Sequence, residues 1–146
     1  MTRVRDLAPE DAPALTALYA EYPWWADRTV ARVRRALADT DVAVGVETDG
    51  ADLVAAARVL TDCTYYATVY DVIVAADRRD EGFGALLMDA VRDHPDLQAV
   101  PGLSLLCREG LVPFYESVGF ELFGPDFEVP EGGREELVRM VYRHEE

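Results

Sequence analysis

Residues 79–84 read Arg79-Asp80-Glu81-Gly82-Phe83-Gly84. This stretch follows a strand-like run at 68–74 and precedes a helix-like run at 85–91. A helix N-terminus presents free backbone N–H groups and the positive end of the helix dipole, and both attract anions. Glycine has no Cβ to keep a phosphate away from the main chain. The stretch therefore predicts a phosphate-binding turn between a strand and a helix.

Two other phosphate-binding motifs fit this turn less well. A dinucleotide fingerprint needs a third glycine three residues after the second, where this chain has Leu87. That fingerprint also usually follows the first strand of a domain, whereas this turn lies midway along the chain. A P-loop requires a lysine, and the chain contains none. A plain tight turn is the structural alternative for two isolated glycines.

Length and charge limit the class of protein. A chain of 146 residues predicts one domain, residues 1–146, which can bury roughly 70% of its unfolded surface. The net charge is −14, and we expect such a surface to bind neither nucleic acid nor anionic membranes. An acidic composition without lysine is typical of a halophilic protein, because concentrated salt shortens the Debye length to about 3 Å at 1 M and suppresses self-repulsion.

The cysteines and the N-terminus give further expectations. Cys63 and Cys107 lack the spacing of a metal or redox site, and their apolar surroundings predict buried free thiols. No cluster of carboxylates and histidines suggests a metal cofactor. The sequence shows no signal peptide and no long apolar run, and Met1 leads directly into an amphipathic strand. We therefore expect a cytoplasmic protein.

Periodicity predicts strands alternating with helices in a mixed α/β order. Asp27 is the predicted cap of the second helix, and Asp49-Gly50 predicts a hairpin turn. This order predicts a central mixed sheet of about seven strands with helices on both faces. The predicted strands are 3–7, 42–47, 53–60, 68–74, 103–107, 120–123 and 137–142, and the predicted helices are 9–19, 27–37, 82–94 and 111–118.

Two motifs carry a resemblance to a known family over nearly the whole chain. The first is Asp71-Val72-Ile73-Val74 followed by the R-x-x-G-x-G pattern that ends at Gly84, and the second is Phe114-Tyr115-Glu116-Ser117-Val118-Gly119-Phe120. Together and in this order they resemble the GNAT superfamily of N-acetyltransferases. Trp24-Trp25 and residues 58–62 and 94–97 further resemble a small branch of unassigned substrate. With the acidic composition, that resemblance implies a haloarchaeal protein.

The resemblance implies a mostly antiparallel sheet in which two parallel strands, 68–74 and 103–107, splay apart around acetyl-CoA. Main-chain N–H and C=O groups would hold the pantetheine arm through strand-like hydrogen bonds, and the turn would hold the pyrophosphate. The implied reaction is direct attack of a primary amine on acetyl-CoA in a ternary complex. The implied cofactor-binding residues are Val72, Ile73, Val74, Arg79, Asp80, Glu81, Gly82, Phe83, Gly84 and Ala85.

Three side chains are candidates for proton transfer. Tyr115 is the predicted acid for the leaving thiolate, because its reference pKa of about 10 keeps it protonated at neutral pH; its alternative role is packing. Asp71 is the predicted general base, with a pKa that burial on the face of Val69 and Ile73 would raise. Asp62 is the second candidate base. For either carboxylate the alternative is a solvated or hydrogen-bonded strand residue.

The acceptor is an amine of a small molecule or of a protein, and the acidic surface mildly favours a cationic one. Trp24 and Trp25 are predicted to form the floor of its pocket, with Asp62 as a further substrate-binding residue; core packing is the alternative for the tryptophans. A homodimer is expected from the resemblance. Asp80 and Glu81 depart from the family pattern, so we expect salt to strengthen acetyl-CoA binding. A catalytically silent acyl-CoA sensor is the alternative function.

Overall fold

The computed structural model describes residues 1–124, 126–128, 130 and 132–144. The chain divides into two compact units, residues 1–108 and 109–146. The first unit contains a mixed sheet and three α-helices, and the second contains a fourth α-helix and a two-stranded ribbon. Whether the whole chain is one domain stays a prediction.

A five-stranded sheet forms the first unit, and its strands lie in the same order in space as in sequence. Neighbouring strands are antiparallel except for the last pair, which is parallel. This confirms the mostly antiparallel sheet with one parallel pair. The strands are β1 (Arg3–Asp6), β2 (Val42–Thr48), β3 (Asp52–Thr61), β4 (Ala67–Val74) and β5 (Ser104–Leu105).

Both faces of the central strands are covered. Consecutive residues of β2 and β3 are buried, and since successive side chains of a strand point to opposite faces, neither face is open to water. The helix α1 (Ala12–Tyr19) packs on β3 and β4 and on α2 (Val30–Ala38). The helix α3 (Phe83–Arg92) packs on the first four strands and buries Leu87 fully.

The start of α2 differs from the prediction by two residues. Thr29 is the cap, and its Oγ1 accepts a hydrogen bond of 3.2 Å from the backbone N–H of Arg32. Asp27 was the predicted cap, but the helix begins at Val30, so the Asp27 carboxylate lies too far along the chain to reach its first N–H groups. The assignment of Asp27 was therefore wrong.

The hairpin between β2 and β3 is confirmed. A 3₁₀ turn, Asp49–Ala51, joins the two antiparallel strands, and Gly50 has φ +83°. This left-handed backbone is costly for most residues but open to glycine. The Asp-Gly pair therefore marks the turn for a physical reason that sequence alone reveals.

The parallel pair is short. Only Thr68 with Ser104 and Val69 with Leu105 are paired, and the Oγ atoms of Thr68 and Ser104 lie 3.0 Å apart. Beyond this ladder, no strand in the described part of the chain pairs with 70–74 on the β5 side. The second half of β4 thus has an outer edge whose backbone groups are left out of the sheet.

The second unit contains α4 (Val112–Ser117), after which Gly119 adopts φ +99°. Strands β6 (Asp126–Glu128) and β7 (Arg134–Glu136) form an antiparallel pair of their own, so a single sheet of about seven strands is not confirmed. The predicted strands 120–123 and 137–142 are wrong. Among the described residues no strand pairs with either segment to hold it extended, and Phe123 and Tyr142 are each 82% exposed.

Candidate functional site

The glycine turn has the backbone of an anion site. Gly82 precedes α3 with φ +87°, and no side chain caps the helix. The first hydrogen bond of the helix runs from the N–H of Leu86 to the C=O of Gly82, over 3.1 Å. The N–H groups of 83–85 therefore precede the first hydrogen bond of the helix and lie at the positive end of its ten residues. This arrangement fits a phosphate group.

Positive φ, rather than crowding, selects glycine at this turn. A Cβ built on Gly82 would meet nothing within 4 Å, but its φ of +87° is one that other residues rarely adopt. Asp80 has φ +66°, which is uncommon for any residue other than glycine. The turn is thus held by the local backbone conformation.

The two carboxylates of the turn are not equivalent. The Nε of Arg78 donates a 3.1 Å hydrogen bond to Oε2 of Glu81, and the Arg78 guanidinium also lies 5.1 Å from the centre of the Phe83 ring. The charge of Glu81 is therefore partly offset within the turn. Asp80, which is exposed, is the carboxylate left to repel a bound phosphate.

Tyr22 connects this turn to β4. Its hydroxyl donates a 2.6 Å hydrogen bond to the carbonyl of Val74 and accepts two from Arg79, at 3.1 Å from Nε and 2.8 Å from Nη2. Arg79 is the residue that the sequence predicts on the phosphate. Its guanidinium is oriented by Tyr22, and its Nη1 takes no part in these bonds.

Backbone groups of Val74 face the outer edge of β4. The N–H of Ala75 donates to the carbonyl of Val54 on the β3 side, over 2.8 Å. Because successive residues of a strand direct their hydrogen-bonding groups to opposite sides, Val74 faces away from β3. The Tyr22 bond to its carbonyl agrees with this. The N–H of Val74 lies on the same edge, where a ligand could run as an added strand.

Asp71 lies in a β-bulge. Between the pairs Ala56–Ile73 and Arg58–Tyr70, β4 has one residue more than β3, and Asp71 adopts φ +55°. Its carboxylate accepts hydrogen bonds from two arginines. Arg28 donates from Nη1 and Nη2 at 2.9 and 3.3 Å, and Arg58 donates from Nε and Nη2 at 2.9 and 2.7 Å.

The pKa of Asp71 moves in the direction opposite to the one expected from its sequence. Burial opposes ionisation of the carboxyl, as predicted, but the hydrogen bonds and charges of Arg28 and Arg58 outweigh burial and hold its pKa below the ordinary value. The expected rise was therefore wrong. A carboxylate that is ionised and held by four hydrogen bonds is poorly suited to accept a proton from an ammonium group.

Asp62 closes a turn. Its Oδ1 accepts hydrogen bonds from the backbone N–H groups of Tyr66, Thr64 and Tyr65 at 3.0, 2.9 and 2.7 Å, and these bonds lower its pKa. The side chain is exposed. Asp62 therefore stabilises the β3–β4 connection, and this geometry does not bring it to a substrate cleft.

An open cleft of about 340 Å³ lies between the end of α1, the start of α2 and β3. Its polar lining is Arg28, Arg32, Arg58 and Asp27, and its other lining residues are Tyr19, Val33 and Ala36. We define this set as the arginine cleft.

Neither predicted tryptophan lines the arginine cleft. Trp25 is linked to it through Arg28, whose guanidinium lies 5.3 Å from the Trp25 ring centre and 4.6 Å from that of Tyr19. Trp24 is 52% exposed, with the Arg108 guanidinium 4.5 Å from its ring. Cation–π contacts of this kind fix arginines as well as rings.

Tyr115 lies in the second unit and is buried, only 8% exposed. Its ring centre lies 5.0 Å from that of Phe114 and 6.0 Å from that of Phe120, both near edge-to-face. Its carbonyl accepts the N–H groups of Val118 and Phe120. The motif around Tyr115 therefore folds as a compact aromatic corner at the end of α4.

Both cysteines are exposed, so the predicted burial of the thiols was wrong. Cys63 lies in the β3–β4 turn with φ +61°, and Cys107 follows β5, which ends at Leu105. Each lies beyond the strand that would have buried it. The described residues contain no group of three or more His, Cys, Asp or Glu side chains placed to hold a metal ion.

Comparison with known proteins identifies the family. The sequence profile of the acetyltransferase (GNAT) domain matches residues 20–132. The chain belongs to the GNAT acetyltransferase family. A GNAT-family protein from Xanthomonas campestris has a similar structure, with 31% sequence identity and a TM-score of 0.67 over 82% of this chain and 85% of that one.

More distant structures share the fold of this GNAT domain. The ribosomal-protein-S18-alanine N-acetyltransferase of Escherichia coli is 19% identical, with a TM-score of 0.69 over 92% of this chain and 88% of that one. Glucosamine-6-phosphate N-acetyltransferase of Arabidopsis thaliana is 16% identical, with a TM-score of 0.69 over 99% of both chains. None of the curated proteins matches the sequence. In the described part of this GNAT domain, no helix has the length and apolar character of a membrane span.

Sequence reasoning missed the residues that build the cleft of this GNAT domain. Arg28 and Arg58 contact Asp71 across separations of 43 and 13 residues, and no local pattern reveals such pairs. Tyr22 reaches Val74 across 52 residues. One signal was available, because residues 28–35 hold four of the 14 arginines of an otherwise acidic chain.

Proposed function

We propose that this GNAT domain transfers the acetyl group of acetyl-CoA to a primary amine, by direct attack of the amine in a ternary complex. One observation carries the proposal. The outer edge of β4 offers the backbone of Val74, and the same chain then supplies the uncapped N-terminus of α3. A strand edge suits the amides of a pantetheine arm, and a helix N-terminus suits a pyrophosphate.

The residues proposed to hold acetyl-CoA are mainly backbone donors. The outward-facing N–H and C=O groups of Val72 and the N–H of Val74 would bind the pantetheine, whereas the backbone of Ile73 faces β3, where Ile73 pairs with Ala56; the N–H groups of 83–85 would bind phosphate oxygens. Arg79 adds a guanidinium that Tyr22 already orients. The N–H of Val74 is also the proposed donor to the oxyanion. For this acidic chain we propose function in concentrated salt, which screens Asp80 from the phosphates.

Proton transfer is proposed to use Tyr115 and water. Tyr115 would protonate the leaving thiolate, a role supported by its motif. Asp71 and Asp62 were the candidate bases, but both carboxylates are held by hydrogen bonds with their pKa values lowered. Water is therefore the proposed acceptor of the amine proton. The acceptor is proposed to be an amine of a small molecule or of a protein, and the protein to be a cytoplasmic homodimer.

Calorimetry tests the cofactor assignment first. Acetyl-CoA is titrated into the purified protein in concentrated potassium chloride, with NADPH as the control ligand. We expect acetyl-CoA to bind and NADPH not to bind, because the turn lacks the third glycine of a dinucleotide site. Failure of acetyl-CoA to bind at any salt concentration would refute the proposed function.

Release of the CoA thiol with a panel of amines tests the transfer itself. Tyr115→Phe should lower kcat by about 10²-fold or more while leaving the dissociation constant of acetyl-CoA unchanged, because the phenol acts only on the leaving group. Tyr70→Phe, at a half-exposed tyrosine of β4, is the matched control. Unchanged turnover in folded Tyr115→Phe would remove the proposed acid.

A catalytically silent acyl-CoA sensor is the second candidate. The hydrogen bonds that two arginines donate to Asp71 favour the sensor, because an enzyme of this type with a carboxylate base would keep that carboxylate available. The two functions differ in one result. A sensor binds acetyl-CoA but releases no CoA with any amine, and Tyr115→Phe then changes nothing.

A further inference from the structure

We propose that the arginine cleft is the acceptor subsite of this enzyme and that it binds a carboxylate carried by the amine substrate. This inference rests on the proposed acetyl transfer. The cleft adjoins the strand that would hold the thioester, because Arg28 and Arg58 both donate to Asp71, which directly precedes Val72–Val74. An acceptor held in the cleft is thereby placed beside that strand.

The charge of the cleft contrasts with that of the chain. Arg28, Arg32 and Arg58 contribute three positive charges, whereas Asp27 and the adjoining Asp71 contribute two negative charges. One positive charge remains, in a chain whose net charge is −14. Such a local reversal of charge attracts an anion to the cleft.

Arg32 supplies the cation that is free to bind. Within the described residues its guanidinium has no hydrogen-bond or ion-pair partner; only its backbone N–H is engaged, by Thr29. It stands in the first turn of α2, which contains no acidic residue. A positive side chain at the positive end of a helix is unfavourable by itself, and an anionic ligand would relieve this cost.

The other arginines of the cleft are fixed before any ligand arrives. Asp71 orients both Arg28 and Arg58, and Thr40 accepts a further 3.0 Å hydrogen bond from Nη1 of Arg58. Their side chains are 31% and 18% exposed, so part of each guanidinium still faces the cleft. Because Asp71 occupies the fork of each guanidinium, a ligand carboxylate would meet their remaining N–H groups and their positive charge.

Tyr19 is a buried, neutral member of the cleft lining beside these charges. Burial, followed by the charge of Asp71, raises the pKa of Tyr19 to about 12, so its hydroxyl stays protonated. With Val33 and Ala36 it gives the cleft an apolar wall beside its polar groups. A cleft of about 340 Å³ suits a small molecule with one charged and one apolar part. A single net positive charge matches a carboxylate better than a phosphate dianion.

Matched pairs of acceptors test this inference. L-amino acids are compared with their carboxamides, which keep the amine but lose the negative charge, and glucosamine 6-phosphate is compared with glucosamine. CoA release measures transfer, and calorimetry measures binding of the same compounds to the protein. We expect at least one amino acid to bind and to be acetylated with a KM about 10-fold lower than that of its amide.

Two variants of α2 locate the effect. Arg32→Gln should raise the KM of the acid about 10-fold and so abolish the preference for the acid over the amide. Arg34→Gln is the control, since Arg34 is exposed on the same helix but does not line the cleft. Both residues are exposed, so both variants should fold.

The outcomes separate this inference from the proposed function. Transfer to amines with equal or better use of the amides would overturn the carboxylate subsite and leave acetyl transfer standing. A preference for glucosamine 6-phosphate over glucosamine, without any preference for the amino acids over their carboxamides, would also overturn the carboxylate subsite. Acetyl-CoA binding without transfer to any amine would refute the proposed acetyl transfer. Calorimetry would still test the carboxylate subsite in that case, because the absence of acid-selective binding that depends on Arg32 would overturn it.

Discussion

Asp71→Asn tests the central ion-pair cluster. The substitution preserves the shape of the side chain but removes its negative charge, and it replaces one acceptor oxygen by an amide group that donates. Four charge-assisted hydrogen bonds of 2.7 to 3.3 Å converge on this carboxylate. After the substitution, Arg28 and Arg58 would face each other without a counter-charge.

The expected loss of stability is about 3 kcal/mol at neutral pH. Breaking a buried pair by removing one partner costs roughly 3–5 kcal/mol, and the lower end applies because the Arg28 side chain is 31% exposed and can regain water. For a domain of this size, about 3 kcal/mol corresponds to a fall in Tm of roughly 6–12 °C.

Thermal unfolding followed by circular dichroism from pH 7 to pH 3 provides the assay. Because the folded-state pKa of Asp71 is held below its ordinary 3.8, the stabilisation is complete above that value and is lost as pH falls through the folded-state pKa. The difference between the native protein and Asp71→Asn should therefore be constant near neutrality and shrink in acid. Asp77→Asn, at an exposed aspartate, is the control. Equal stability of both proteins at pH 7, or a difference that persists unchanged at pH 3, would refute the reasoning.

Three further predictions concern the cofactor turn. Tyr22→Phe removes the hydroxyl that joins Arg79 to Val74 and should weaken acetyl-CoA binding about fivefold by calorimetry; Tyr70→Phe is the control, and an unchanged dissociation constant would contradict the prediction. Gly82→Ala forces a Cβ into φ +87° and should lower stability by about 1 kcal/mol in urea titration, whereas Gly102→Ala, with no positive φ, should not. Raising potassium chloride should tighten acetyl-CoA binding, and Asp80→Asn should abolish that dependence because Glu81 is already paired; affinity that falls steadily with salt would count against this prediction.

Local features of the fold could be predicted from sequence. The Asp49-Gly50 turn and the Gly82 helix start depend on residues close in the chain, whereas the parallel order of β4 and β5 was implied by the family resemblance. Glycine adopts left-handed backbone conformations at little cost, so its position in the sequence is enough to predict these turns.

Features that depend on distant partners could not be predicted. Strand alternation places Asp71 on an apolar face, but the bulge and the two arginines reverse the direction of its pKa shift. The alternating residues at 137–142 pair with no strand in the described part of the chain, and Cys107 lies just past a strand only two residues long. In each case the contact that decides the structure joins residues far apart in the sequence, so no short segment contains both partners.

The outer edge of β4 has a consequence for handling the protein. Unpaired backbone N–H and C=O groups on a strand edge are a template for strands of other molecules, and β-rich aggregates grow from such edges. Val74 belongs to that edge, and Tyr22 covers only its carbonyl. A ligand lying along the edge would block this growth. Storage with CoA should therefore keep the protein monodisperse for longer than storage alone, as light scattering over days would record.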